Sequence, residues 1–224
     1  MTRILNIDTS TGSASVCLSK DGAVLALAEN NKQQDHASWL HLAVTGLLRD
    51  TGLTLKALDA VAVTAGPGSY TGLRVGMAAA KGFSYALGIP FITEISLKVM
   101  ALAAREQTGD PSLLYCPLID ARRMEVFTAI YDHSLAELLT PTALILEESA
   151  FDDWLGSHRM FFFGDGSGKW KTIAKSPRAQ FGEPIINASF LGILSYQKFV
   201  NHEFTDIIYS EPVYTKEFYT HTKK

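Results

Sequence analysis

Cysteine is scarce in this sequence of 224 residues, and only Cys17 and Cys116 are present. Two cysteines cannot form the disulfide framework of a small secreted protein. No apolar run approaches the roughly 18 residues that a membrane-spanning helix needs, so the sequence predicts no membrane partner. The first ten residues reach Asp8 before the about 7–15 apolar residues of a secretory signal could be complete. Together these absences predict a cytoplasmic protein.

A surplus of basic residues is also missing. Lys and Arg number 20 against 23 Asp and Glu, which gives a formal net charge of −3. Proteins that hold nucleic acid alone usually carry a basic surplus or stripe, so any RNA involved is expected to be held by another chain. Charged residues make up 19% of the chain and hydrophobic residues 47%. Those proportions exclude intrinsic disorder and supply enough apolar side chains for a core.

Both familiar phosphate-binding motifs fail on spacing. The Gly-rich stretch 66–76, GPGSYTGLRVG, has Thr71 where the dinucleotide-binding pattern needs its third glycine. The stretch 164–169, GDGSGK, has three residues between its first and last glycines where a P-loop has four, and Trp170 follows the lysine. Neither stretch therefore predicts one of these two motifs.

The histidines do not predict a metal site. His36 and His41 are five residues apart, which places them about 140° apart around a helix. Two histidines that share a metal on one helix are spaced i, i+4. The remaining four are scattered along the chain: His133, His158, His202 and His221. We therefore predict that this chain builds no metal site.

The first part of the chain predicts a mixed α/β sheet. Short β-favouring runs at 3–8, 14–19 and 23–28 predict three antiparallel strands, with a hairpin at Lys-Asp-Gly. Leu40, Val44, Leu47 and Leu48 recur at the spacing of one helical face. Further elements predicted in order are a strand at 60–65, a helix at 71–86, a strand at 89–93 and a helix at 96–106. Helix-linked strands after a three-stranded meander are typical of a mixed sheet.

The turn-rich stretch 108–112 divides the chain. We predict domains at 1–107 and 108–224, the second being a smaller α/β unit whose last residues either pack back on the first or are mobile. Its predicted elements are strands at 113–120, 125–131 and 160–163 and helices near 149–155 and 188–200. No sequence repeat relates the two parts.

A stripe of small residues lies along the second predicted helix. Gly72, Gly76 and Ala80 are four residues apart and share one face. Glycine costs roughly 1 kcal/mol relative to alanine inside a helix, so a packing gain should offset it. One interpretation is close packing on the chain's own sheet or first helix, and the other is a surface where the helices of a second chain dock.

Asp8 is the first candidate for chemistry because it ends a strand and precedes Thr9 and Ser10. A carboxylate beside hydroxyls suits contact with a nucleotide phosphate or Mg²⁺. The alternative is a local turn in which Asp8 bonds the neighbouring hydroxyls. The other carboxylates considered for acid–base work are Asp35, Asp120 and Glu125. No histidine follows Ser69 in the pattern of a nucleophile and its base.

Several motifs in order along the chain resemble those of one family. They are Ile7–Ser10, Gln34–His36, Gly66–Gly76, Ser96-Leu97, Asp120–Arg123 with Glu125–Phe127, and Glu211–Tyr214. The most specific of them is GPGSYTGLRVG. On these motifs the sequence is identified as a member of the TsaB (YeaZ) family. That family serves the bacterial machinery that makes threonylcarbamoyladenosine at position 37 of tRNA.

The resemblance implies an actin/Hsp70/sugar-kinase-like (ASKHA) α/β fold, with two subdomains that each contain a mixed β-sheet flanked by helices. It also implies a non-catalytic paralogue of TsaD, the subunit that binds the metal and transfers the threonylcarbamoyl group to tRNAs decoding ANN codons. TsaD-like chains carry a histidine pair at i, i+4. Here only His36 is present, and Leu40 stands at the second position.

The resemblance further implies the partners. The chain is expected to pair with a TsaD-like subunit through its N-terminal helices, to recruit a TsaE-like ATPase to that pair, and to form a homodimer when isolated. In this scheme tRNA is reached only through the complex, and ATP or ADP and Mg belong to the complex, with no cofactor on this chain alone. The residues expected at the partner surface are His36, Leu40, Val44, Gly72, Gly76, Ala80 and Phe83.

The sequence departs from the family pattern at two places. Met124 stands where Gly or Asn is common, and Thr215-Lys216 stand where Leu-Arg usually follows the tyrosine. Two other functions are compatible with the superfamily. One is an ATP-dependent kinase or hydrolase that holds phosphates with Asp8 and Thr9, and the other is a peptidase related to TsaD.

Overall fold

The first half of the chain folds in the predicted β-β-β-α-β-α-β-α order. The computed structural model describes residues 1–31 and 36–216, so Gln34 and Asp35 lie outside the described residues. The elements are β1 (Arg3–Asp8), β2 (Ala14–Lys20), β3 (Ala23–Asn30), α1 (His36–Thr51), β4 (Ala60–Gly66), α2 (Tyr70–Leu87), β5 (Phe91–Ile95) and α3 (Ser96–Thr108), with a 3₁₀ turn at Leu55–Ala57. The predicted apolar face of α1 is buried, as its spacing indicated.

The second half contains more elements than its sequence indicated. They are β6 (Leu113–Asp120), β7 (Glu125–Tyr131), β8 (Glu137–Ile145), α4 (Asp152–Leu155), β9 (Arg159–Phe163), α5 (Ser167–Lys171), β10 (Ala179–Phe181) and α6 (Ala188–Val200). Sequence reasoning missed β8, α5 and β10. Pro141 argues against a strand because proline cannot donate to a ladder, but β8 is an edge strand, where proline is tolerated.

The two halves contain the same sheet topology. The first sheet has the order β3-β2-β1-β4-β5, and the second has the order β8-β7-β6-β9-β10. In each, the first three strands are antiparallel and the last two run parallel to the central strand. A structural repeat therefore exists where no sequence repeat is visible. The prediction of an actin/Hsp70/sugar-kinase-like fold with two mixed sheets is confirmed.

The helices, unlike the strands, do not all pack within the half of the chain to which they belong in sequence. One face of the first sheet is covered by α1 and α2, and the other face by α6 together with α3. The opposite side of α3 packs on the second sheet, whose far face carries α4 and α5. The helix α6 thus follows the second sheet in the chain but completes the core of the first. The predicted boundary at 107/108 stays a prediction.

A buried polar contact anchors α6 on the first sheet. Asn6 of β1 donates from Nδ2 to Ser19 Oγ at 2.9 Å and accepts at Oδ1 from Ser195 Oγ of α6 at 2.6 Å. All three side chains are fully buried. Because buried polar groups are costly unless paired, this contact specifies where α6 sits on the sheet.

The segment after α6 returns along the first half. Thr205 N donates to Phe91 O at 2.8 Å, and Val213 N donates to Ala65 O at 2.7 Å. The described part of the tail therefore packs on β5 and on the end of β4, while residues 217–224 lie outside the described residues. In the described ranges, none of the helices is long and apolar enough to cross a bilayer.

Candidate functional site

A cavity of about 730 Å³ lies between the two halves. Its walls come from the β1–β2 turn, the N-terminal end of α2 and the β6–β7 hairpin. Among the residues that line it are Ser10, His36, Tyr70, Arg122 and Asp165. Both sheets direct a strand end toward this cleft, which is why it collects polar side chains and backbone amides from distant parts of the sequence.

Asp8, Thr9 and Ser10 use their side chains inside the first half. Asp8 Oδ1 accepts from Ser10 N at 3.0 Å, from Ser10 Oγ at 2.7 Å and from Thr64 Oγ1 at 2.8 Å. Thr9 Oγ1 donates to the Gly72 carbonyl at 2.7 Å. The local turn considered for Asp8 is therefore present. Only Ser10 of the three lines the cavity, and nucleotide contact by this trio remains a prediction.

The stripe of small residues on α2 faces the chain's own β1–β2 turn. A Cβ on Gly72 would overlap the Thr9 carbonyl oxygen, and one on Gly76 would overlap the Thr9 hydroxyl. Gly68, just before the helix, is equally close to the Ser10 carbonyl. Close packing on the chain's own sheet, the first of the two interpretations, thus accounts for both helical glycines.

The other residues expected at a partner surface lie at different depths. Leu40, Val44 and Ala80 are buried in the core of the first half. Phe83 is partly buried at the outer edge of that core and its ring lies 5.5 Å from that of His41. His36, at the start of α1, is 4% exposed, and neither of its ring nitrogens has a hydrogen-bond partner within the described part of the chain.

An apolar groove runs between α1 and α2 on the outer side of the first half. It has a volume of about 460 Å³ and is lined by Ala37, His41, Val75, Ala78, Ala79, Gly82 and Phe83. Ala78 and Gly82 are exposed. The exposed side of the two N-terminal helices therefore presents small and apolar side chains, although the glycine stripe itself points inward.

The β6–β7 hairpin brings charged groups to the cleft. Lys169 of α5 donates from Nζ to Asp120 Oδ1 at 2.7 Å, and Asp165 Oδ1 accepts from Asp120 N at 2.8 Å. Burial works to raise the pKa of Asp120, but bonds from Lys169 and from the Arg122 backbone outweigh it, so this pKa lies below its usual value. Burial raises the pKa of Asp165. Sequence reasoning missed Asp165 and Lys169, whose only signal was the GDGSGK stretch.

Two consecutive arginines at the hairpin tip occupy the left-handed region. Arg122 has φ 67° and Arg123 has φ 49°, and Glu125 N donates to the Arg122 carbonyl at 3.2 Å to close the turn. For a non-glycine residue this conformation costs roughly 1–2 kcal/mol. Arg122 lines the cleft from this turn.

Relief of that strain is measurable. Arg123→Gly is expected to raise the free energy of unfolding by about 1 kcal/mol, because glycine adopts positive φ without steric cost. Urea unfolding at 25 °C checks this. Arg123→Ala is the control, since it removes the same charge but keeps the Cβ atom. Equal stability of the two variants would show that charge, and not backbone conformation, is responsible.

The described residues offer neither a metal site nor a reactive cysteine. Within 1–31 and 36–216, no three His, Cys, Asp or Glu side chains are grouped as a metal site would require. Both cysteines are buried, and burial raises the pKa of Cys17 and of Cys116 to about 12. At neutral pH the two are therefore thiols, whereas the reactive form of cysteine is the thiolate.

Comparison with known proteins gives a consistent result. The family model for TsaD, tRNA N6-adenosine threonylcarbamoyltransferase, matches residues 24–209. The tRNA threonylcarbamoyladenosine biosynthesis protein TsaB of Bacillus subtilis is 33% identical over 154 residues, which are 68% of this chain and 64% of that protein. Escherichia coli TsaB is 37% identical over 129 residues, 58% of this chain and 54% of the relative. The matched part thus spans between one half and two thirds of these relatives.

The fold agrees over a longer range. The solved structure of YeaZ from Pseudomonas aeruginosa superposes with a TM-score of 0.83 at 28% identity, covering 96% of this chain and all of that one. A second Pseudomonas aeruginosa structure, described as similar to peptidase YeaZ, has a TM-score of 0.84 at 26% identity over the same shares. By sequence and by fold, this chain belongs to the TsaB (YeaZ) family, as do the Bacillus subtilis and Escherichia coli proteins named tRNA threonylcarbamoyladenosine biosynthesis protein TsaB.

Proposed function

We propose that this chain is a non-catalytic scaffold and activating subunit of a cytoplasmic complex that forms N6-threonylcarbamoyladenosine at position 37 of tRNAs decoding ANN codons. Its partner in this proposal is a TsaD-like catalytic subunit, and a TsaE-like ATPase joins the pair. ATP or ADP and Mg act in the complex. When it is isolated, the chain pairs with a second copy of itself through the surface of the N-terminal helices that would otherwise contact the TsaD-like subunit.

The observation that carries the proposal is the apolar groove between α1 and α2. Exposed apolar patches on soluble proteins mark interaction sites when they are contiguous. The groove is lined by small residues such as Ala78 and Gly82, which let a helix approach closely. Leu42 on α1 and Tyr85 on α2 are also strongly exposed, at 73% and 82%. These features favour a second chain of similar helical character.

The internal bonds of the β1–β2 turn support a role without phosphate chemistry on this chain. A kinase or hydrolase that used Asp8 and Thr9 on phosphates would need their oxygens directed at a ligand. Thr9 Oγ1 is instead fully buried against α2, and Asp8 Oδ1 already accepts three hydrogen bonds. We therefore expect no ATP turnover by the purified chain. Turnover abolished by Asp8→Ala would contradict the proposal.

The direct test is reconstitution. TsaD-like and TsaE-like subunits, ATP, threonine, bicarbonate and tRNA are combined with and without this chain, and threonylcarbamoyladenosine is measured by mass spectrometry of digested tRNA. The proposal expects modification only when the chain is present. Full modification without it would overturn the activating role.

A surface variant tests the groove itself. Ala78→Glu places a charge where a partner helix would pack, so we expect its affinity for the TsaD-like subunit to fall at least tenfold, about 1.4 kcal/mol. Isothermal titration calorimetry measures this. The control is Ala23→Glu on β3, which is exposed and lies opposite Lys20 of β2. Equal affinity of the two variants would place the interface elsewhere.

A further inference from the structure

A second, smaller pocket opens beside the cleft. It has a volume of about 260 Å³ and lies between the start of α2, the β6–β7 hairpin and the tail. Its apolar walls are Pro67, Phe127 and Val213. Pockets for drug-sized ligands measure roughly 300–1,000 Å³, so this one suits a single ring system better than a whole cofactor.

Two tyrosines form one rim of the pocket, and an arginine outside it lies against them. The rings of Tyr70 and Tyr214 lie 5.5 Å apart and are about 40% exposed. The Arg74 guanidinium lies 4.2 Å from the centre of the Tyr70 ring, and its Nε donates to Tyr214 Oη at 3.2 Å. Stacked aromatic and guanidinium planes are the groups on which proteins bind unstacked nucleobases.

Cations and a hydroxyl complete the pocket. Arg122, held by its strained backbone, lines both this pocket and the larger cleft. Its guanidinium makes no hydrogen bond or ion pair with another described residue. Lys216 is paired with Glu125 of β7. Thr215 also lines the pocket, and its buried hydroxyl has no hydrogen-bond partner among the described residues.

We propose that this pocket binds one unstacked nucleotide of a single-stranded RNA, with the base against Tyr70 and Phe127 and its phosphate at Arg122. The planar base matches the apolar walls and the aromatic rim. The phosphate matches the Arg122 guanidinium, which makes no ion pair with another described residue and lines the pocket. The choice of RNA as the source of the nucleotide rests on the proposed function, whereas the binding chemistry does not. The proposal differs from the expectation that tRNA is reached only through the complex.

The overall charge limits the strength of this binding. A chain with a net charge of −3 has no basic stripe to hold a long strand. One or two phosphate contacts imply a salt dependence of about −0.7 to −1.4 in the slope of log K against log salt concentration. A steep slope would indicate a different and more extensive surface.

The experiment measures the fluorescence anisotropy of a labelled seven-nucleotide single-stranded RNA titrated with the full chain. Arg122→Asn keeps a residue that tolerates positive φ and removes the charge, so affinity should fall about tenfold and the salt slope should become shallower by about 0.7. Tyr70→Leu should weaken binding about tenfold with an unchanged slope, because it removes stacking. The matched control is Arg123→Asn, which makes the same change at the neighbouring residue outside the pocket, and it should bind as the wild type does.

Several outcomes would overturn the proposal. Equal binding by Arg122→Asn and Arg123→Asn would exclude the pocket. Duplex RNA of the same sequence that binds as tightly would exclude recognition of an unstacked base. If AMP displaced the labelled RNA as effectively as unlabelled RNA does at the same concentration, the ligand would be a free nucleotide. The affinity of the same variants for the TsaD-like subunit tests the proposed function separately. Arg122 lies outside the groove between α1 and α2, so its substitution should leave that affinity unchanged.

Discussion

Gly72→Ala is expected to lower the free energy of unfolding by about 3 kcal/mol. The new methyl group would overlap the Thr9 carbonyl oxygen, and overpacking of a close contact typically costs about 1–3 kcal/mol. Both partners are held in place, because Thr9 is fully buried and its hydroxyl donates to the Gly72 carbonyl at 2.7 Å. The main chain of α2 or of the β1–β2 turn must therefore move. Urea unfolding at 25 °C measures the loss.

Gly82 supplies the matched control on the same helix. A Cβ there meets no atom of the described residues within 4 Å, so Gly82→Ala should stabilise the chain by about 1 kcal/mol through helix propensity alone. The two identical substitutions thus have opposite expected signs. If both variants were stabilised, the close approach between α2 and the β1–β2 turn would be wrong.

Trp170→Ala is expected to lower the free energy of unfolding by about 3–5 kcal/mol, the usual range when a buried tryptophan is replaced by alanine. Trp170 is 1% exposed, and its ring lies 5.1 Å from that of Phe151 and 6.1 Å from that of Phe162. This aromatic group is the centre of the core between the second sheet and its helices α4 and α5. Thermal unfolding followed by near-UV circular dichroism reports its loss.

Trp170→Phe separates the effect of lost side-chain volume from the effect of the polar indole N–H group. The indole Nε1 is buried without a hydrogen-bond partner among the described residues. Phenylalanine removes that donor and leaves a smaller void than alanine does. We therefore expect Trp170→Phe to lower the free energy of unfolding by less than about 1.5 kcal/mol. A loss as large as that of Trp170→Ala would mean that the indole nitrogen has a partner in solution.

The first half could be predicted from sequence because its local signals agree. Leu40, Val44, Leu47 and Leu48 indicated a helix and its buried face together, and Asp21-Gly22 indicated the hairpin. The second half was harder because its elements are short or atypical. The helix α5 has five residues and β10 has three, which is too short for a periodic pattern.

The candidate site was predictable only in part. The Gly-rich stretch 66–76 contacts the residues after β1, a contact that the sequence did not predict. The spacing of its small residues could not show which side of α2 faces inward. Such a stripe can pack either against the sheet of the same chain or against a helix of a partner chain. Lys169 and Asp120 are 49 residues apart in sequence. Their contact follows from the topology of the second sheet and from no local signal.

The position of α6 has a consequence for how the chain is made. The face of the first sheet that carries Ile4, Ala62 and Ile92 is covered by Leu191 and Leu194. Ribosomes add about 5–20 residues per second, and about 100 residues separate the end of β5 from the end of α6, so this face has no α6 to cover it for roughly 5–20 s of synthesis. During that interval the nascent first half presents an apolar sheet face, and chaperones recognise surfaces of this kind. The core on this face of the first sheet is therefore complete only after α6 has been made.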